Sequence, residues 1–292
     1  MARVSLIKGG DRREIARRSL DLIADDITRG LASRRPLIKP NFVSSTIQLA
    51  SSHVEQIRGI LDFFSSIYHD KIVIAEAACS DTQKAFMNFG YERLLQEYNI
   101  ELIDLNKGPY ETYSLIGRDH KTIAVRLSSL LRDKDNFIIS AAKMKTHDTV
   151  VVTLSVKNMA VGSIVGKDKK AVHQGVKLTN CIIAELAGRV WPDLAIIDGF
   201  EGMEGDGPIS GDPVHLGTGI ASIDALAADR VACEIMCVDF HDVGYLLYCA
   251  KQGMGEADLE KIEVLGERLS DSIRPFKLHR SVNEQYAWKR ET

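Results

Sequence analysis

The chain has 292 residues, 45% of them hydrophobic and 26% charged, with a formal net charge of −3. That balance is enough for one large packed core and lacks the basic bias of a nucleic-acid or membrane binder. Five scattered cysteines with no C-x-x-C pair exclude a disulfide framework and an iron–sulfur cluster.

The elements alternate along the chain. Arg3–Ile7 reads as a strand and Arg12–Thr28 as a helix, with apolar residues at helical spacing and a stop at Gly30. Pro36–Lys39 is a short strand, His53–Ile67 a helix and Lys71–Ala77 a buried strand. Asp81 caps a predicted helix over 82–98 that Gly90 can break. Glu101–Leu105 is a strand, and 110–126 is a hairpin excursion. Asn136–Ala141 is a strong strand, while Val150–Leu154 is either a strand or the start of a helix running to Val161. Helices at Val176–Arg189, Asp224–Met236 and Val243–Lys251 alternate with strands at Asp193–Asp198, Val214–Ile223 and Ile262–Leu265. The tail from Ser270 reads as irregular. Such alternation predicts an α/β fold: one domain over 1–292, a mostly parallel doubly wound sheet with helices on both faces, plus the small hairpin.

No apolar h-region opens the chain, and no run approaches the ~18 apolar residues of a membrane span. A soluble, cytoplasmic protein is expected. Nothing in the pattern fixes an oligomeric state.

Ligands of such sheets sit outside the carboxyl ends of the strands. That rule selects Lys39-Pro40-Asn41, Glu76–Ser80, Ala142–His147, Asp198–Asp212 and Ile220–Asp224. Proline stiffens Lys39, and Asn41 offers a donor and an acceptor; a plain strand-ending turn is the competing reading. In AKMKTH, Lys143, Lys145 and His147 alternate, so an extended chain points all three one way. They can face an anion or supply an amine of lowered pKa, unless the segment is a solvated basic loop. Lys157 and Asn158 stand out in the small, apolar TLSVKNMAVG. GSIVGK has three residues between its glycines and Asp168 where Ser or Thr belongs, so it is not a P-loop. Its lysines 167, 169 and 170 read as an exposed, mobile loop. His173 precedes a helix and is a candidate anion contact.

DGFEGMEGDGPISGD (198–212) holds five carboxylates and five glycines with no lysine or arginine. It reads as a long loop that either binds a divalent cation, through Asp198, Glu201 and Glu204, or faces the lysines. Gly217 and Gly219 form an imperfect G-x-G-x-x-S and are candidate substrate contacts through close backbone approach.

Taken in order, LIKPNFV, SAAKMKTH, LSVKNMAVGSIVG with HQG, DLAIIDGFEGMEGDGPISG and IASIDALAADRVA resemble the DUF362 family over about 35–265. The resemblance implies one α/β domain and supplies no reaction. Some relatives carry a ferredoxin-like cluster module, whose cysteines this chain lacks. The implied fold is also similar to that of nickel-dependent lactate racemase-type proteins.

Two functions follow. One is an enzyme acting on a small carboxylate or phosphate, with Lys143, Lys145, His147 and Lys157 catalytic, Lys39, Asn41, Asn158 and His173 binding, and a candidate metal. The alternative is a non-catalytic protein that binds an anion or anionic cofactor through the same lysines.

Overall fold

The computed structural model describes residues 1–289. β1 (Ala2–Lys8) runs into α1 (Arg12–Asp21), whose cap Asp11 accepts from the Glu14 amide. The single helix expected over 12–28 is two, α1 and α2 (Ala24–Leu31), with the break at Leu22–Ile23. The break lets Leu20, Ile23 and Ile27 all reach the core, which one straight axis would not favour.

β2 (Arg35–Lys39) is followed by α3 (Val54–Ile67), which buries Ile57, Ile60, Leu61 and Phe64 at i, i+3, i+4 and i+7 spacing. β3 (Ile72–Glu76) leads to α4 (Thr82–Asn88) and α5 (Leu94–Glu97), split around Gly90 as the sequence allows. β4 (Ile100–Asp104) precedes the expected hairpin, β5 (Tyr110–Ile116) with β6 (Thr122–Ser128). Next come β7 (Asn136–His147), β8 (Val151–Thr153), α6 (Ser155–Gly162) and α7 (Val176–Ala187). Thus 150–161 is a short strand and then a helix. β9 (Leu194–Glu204), β10 (Asp212–Ser222), α8 (Ala225–Met236), α9 (Gly244–Lys251) and β11 (Ile262–Gly266) complete the alternation. The tail adds α10 (Val282–Gln285).

The main sheet has the order β11-β1-β10-β9-β7-β2-β3-β4, with β8 beside β7. Pairing is parallel except at β1–β10, β10–β9 and β7–β8. Side chains of α1 to α5 pack on one face. Those of α6 to α9 and the hairpin pack on the other. The mostly parallel, doubly wound sheet with helices on both faces is therefore present. Among the described residues no helix is long and apolar enough to cross a membrane.

Two strands overrun their expected ends, and both corrections reach the candidate residues. β7 continues six residues past Ala141, so AKMKTH is buried strand and not a loop. The segment 198–212 is not a long loop either: β9 runs to Glu204, a turn spans 205–211, and β10 starts at Asp212. Register places Glu201 opposite His215 and Glu204 opposite Asp212. Strand pairing supplies the backbone partners that a free acidic loop would have to find in water.

Candidate active-site cavity

At the carboxyl ends of β2, β3 and β7 a cavity of about 440 Å³ opens, roughly within the 300–1,000 Å³ of small-molecule sites. Its floor is a buried polar network. Lys39 closes β2, and its Nζ donates to Glu76 Oε2 at 2.7 Å, to the Pro40 carbonyl at 2.9 Å and to Asn158 Oδ1 at 3.2 Å. Asn158 Oδ1 also accepts from Asn41 Nδ2 at 3.1 Å, and its Nδ2 donates to Ser140 Oγ at 3.0 Å. Lys145 Nζ donates to Asn41 Oδ1 at 2.6 Å and to the Ala50 carbonyl at 2.5 Å. Burial pulls both lysines below the usual range: Lys39 in spite of Glu76, Lys145 much further, with Lys157 and Lys143 adding repulsion.

α6 carries Lys157 and Asn158 to this network. Its N-cap Leu154 has no side chain to cap the helix, and Asp229 of α8 does so instead. The Asp229 carboxylate accepts from the Ser155 and Val156 amides at 2.8 and 2.9 Å. Burial pushes Asp229 up to about 8. At the other end of α6, a Cβ on Gly162 would collide with the Lys39 ammonium, so only glycine lets the helix pass there.

Lys157 differs from its neighbours. It lines the cavity, and no hydrogen bond or ion pair joins it to another described residue. Burial lowers its pKa to about 8, with Asp148 pulling the other way and Lys169 adding repulsion. His147 lines the same wall. Its Nδ1 accepts from the Thr149 amide at 3.1 Å, and burial, then Lys157, hold the imidazole neutral. The turn after His147 is pinned from the tail: Gln285 Oε1 accepts from the Val151 amide at 2.6 Å, and Gln285 Nε2 donates to the His147 carbonyl at 3.0 Å. Val151 holds a φ of 67°, a strained value for a β-branched residue. His173, its pKa lowered by burial and by Lys157, also lines the cavity.

The lysines at 167–170 do not form a detached loop. They lie in 3-10 turns over Gly166–Val172, and all three line the cavity. Lys169 is buried, with Nζ donating to the Ala77 carbonyl. Glu76 and Cys79 lie in the Glu76–Ser80 strand end that the sequence selects, though neither is named there as a site residue, and Lys169 is read there as part of an exposed loop.

The remaining candidates lie elsewhere. Lys143 and Asp198 are buried 3.8 Å apart, and Asp198 also meets Arg12 at 3.2 Å; neither lines the cavity. Glu201 faces Arg12 and His215, and Glu204 accepts from the Lys277 amide. Asp198 and Glu201 thus share Arg12, with Lys143 and His215 beside them, while Glu204 turns to the tail. Among the described residues no three His, Cys, Asp or Glu side chains gather as a metal site, so the expected metal set is not assembled. Gly217 and Gly219 do not line the cavity. Gly217, at φ 64°, bulges β10 against Gly9, and a Cβ on Gly219 would strike Ile15 of α1. Their smallness serves packing. The acidic hairpin reaches the cavity only through Pro208 and Ile209, its two apolar turn residues.

The DUF362 profile, a domain of unknown function, matches residues 37–234, which span the cavity's network from Lys39 to Asp229. The chain belongs to the DUF362 family. Over 156 residues the chain is 36% identical to the thylakoid-associated protein sll1697 of Synechocystis. That match takes in 52% of this chain and 46% of the relative, so the chain spans under half of the relative's length. Two solved structures are similar at low identity. A protein from Thermotoga maritima aligns with TM-score 0.49 and 12% identity over 78% of this chain and 60% of its own. The lactate racemase apoprotein from Thermoanaerobacterium thermosaccharolyticum aligns with TM-score 0.48 and 15% identity over 81% and 57%. At those values neither likeness bears on the chemistry of this DUF362 chain.

Proposed function

We propose that the chain is an enzyme that takes a small carboxylate or phosphate into the cavity and moves a proton with Lys157. The observation that carries this is the unpartnered Lys157 ammonium among Lys167, Lys169, Lys170 and two histidines. Of the two acids in the cavity wall, Glu76 already holds Lys39, and Asp148 is half exposed to water. Excess positive charge in a partly desolvated space favours an anion. An amine titrating near 8 is divided between base and acid close to neutral pH, as proton transfer requires. His147, neutral and adjacent, is the second group able to relay that proton.

Cys79 lines the same wall and its thiol is exposed, so it reports on the cavity's charge without a known substrate. Alkylation by anionic iodoacetate and by neutral iodoacetamide is compared site by site, with exposed Cys237 as reference. The iodoacetate preference should be severalfold greater at Cys79, should fall in Lys157→Ala, and should be suppressed by inorganic phosphate. Equal preferences at Cys79 and Cys237 would remove the basis for an anion site. The catalytic half is separable: Lys157→Arg keeps the charge and abolishes titration near 8, so it should retain anion protection of Cys79 yet lose turnover of any ligand captured by native mass spectrometry.

A further inference from the structure

The cavity is lined by two chemically different groups of side chains. One is cationic, formed by Lys157 and the 167–170 turn. The other is apolar, formed by Phe42, Val43, Val161, Pro208 and Ile209. Ile209, 44% exposed, is the large aliphatic side chain that the polar, glycine-rich turn brings to the cavity. The turn that presents it is anchored and not free. Gly205 donates its amide to the Lys277 carbonyl at 2.5 Å, and Asp206 Oδ1 accepts from the Arg280 amide at 3.3 Å while Oδ2 lies 3.4 Å from the Arg280 guanidinium. Both anchors come from the tail, outside the family-matched segment. A bare inorganic anion gains nothing from an apolar wall, and the cavity is much larger than a phosphate or carboxylate group needs.

We infer that the natural ligand is an amphipathic anion, a carboxylate or phosphate bearing an apolar carbon chain or ring, with its head at Lys157 and its carbon body against Ile209, Pro208 and Val161. Ile209 is then a specificity residue that selects for the carbon body. This rests on the anion reading above, and it adds the substrate class.

Isothermal titration of the full chain with inorganic phosphate, methyl phosphate, butyl phosphate and hexyl phosphate tests it. Affinity should climb with chain length, by about two- to fourfold per methylene. Ile209→Ser should flatten that climb while leaving inorganic phosphate unchanged, and Ile209→Leu should restore it. Lys157→Ala should weaken the whole series by a common factor. If inorganic phosphate binds and chain length adds nothing, the amphipathic ligand is wrong and the anion site stands. If neither this series nor the matching carboxylates, acetate to hexanoate, bind, both fall. Flotation with vesicles containing phosphatidic acid separates the sources of this chemistry: co-flotation competed by hexyl phosphate assigns it to a lipid head group, and its absence to a free molecule.

Discussion

Lys39 and Lys157 lie at the same end of the sheet, Lys39 fully buried and Lys157 partly so, both with lowered pKa values. Their hydrogen bonding differs further. Lys39 spends its three hydrogens on Glu76, Pro40 and Asn158, whereas Lys157 has no partner among the described residues. An ammonium donates three hydrogen bonds and accepts none, so a lysine with three partners has no capacity left for a ligand. A lowered pKa does not separate a structural lysine from an available one; the count of partners does. Lys145 belongs with Lys39, because Asn41 and Ala50 already accept from it.

That division has consequences for stability. Lys39→Met should be the most damaging change, because it strands the buried Glu76 carboxylate without its cation. The expected cost is about 3–5 kcal/mol. Denaturant titration reads it, and adding Glu76→Gln should recover part of the loss. A Lys39→Met variant as stable as the parent would erase the distinction between the two lysines. Lys145→Met sharpens the same contrast. Its acceptors are neutral and the substitution nearly conserves volume, so the cost should be about 1–2 kcal/mol. An equal or greater loss than Lys39→Met would show that ion pairing is not what makes Lys39 structural.

The sequence carries this contrast only in part. Alternating apolar strands and amphipathic helices have periods that composition displays directly, so the layered fold and the β5–β6 excursion are legible. Lys39, Asn41, Lys145, His147, Lys157, Asn158 and His173 could be chosen as strand-end or isolated polar residues, and all of them lie in the cavity or the network beneath it. Which lysine is free could not be chosen, because partnering is a tertiary fact: Glu76 is 37 residues from Lys39, and Asn158 is 119. The acidic stretch misleads for the same reason. With no lysine or arginine inside it, it can be read as a cation trap or as facing the lysines; Arg12, Lys143 and Lys277 come from α1, β7 and the tail to meet it. Lys169 was hidden by its neighbours, since a run of lysines in water has the same composition as one folded over a carbonyl.

The smallest expected effect is the pH dependence of Lys157, and it has two opposite signs. As the free base, Lys157 cannot hold an anion, so affinity for sulfate, whose own charge does not change in this range, should be steady below about pH 7 and decline as pH rises through about 8. Stability should move the other way. The folded lysine titrates at about 8 and an unfolded one near 10.5, so between those values the unfolded chain binds more protons. Unfolding free energy then rises with pH across that window, with a slope for this group well under about 1.4 kcal/mol per pH unit because water reaches the cavity. Lys157→Met should abolish both dependences, leaving the folded chain at least as stable at pH 7 because a desolvated charge has been removed. Loss of stability in that variant would mean that Lys157, like Lys39, is held by the fold, and that its ammonium is not free to meet a ligand.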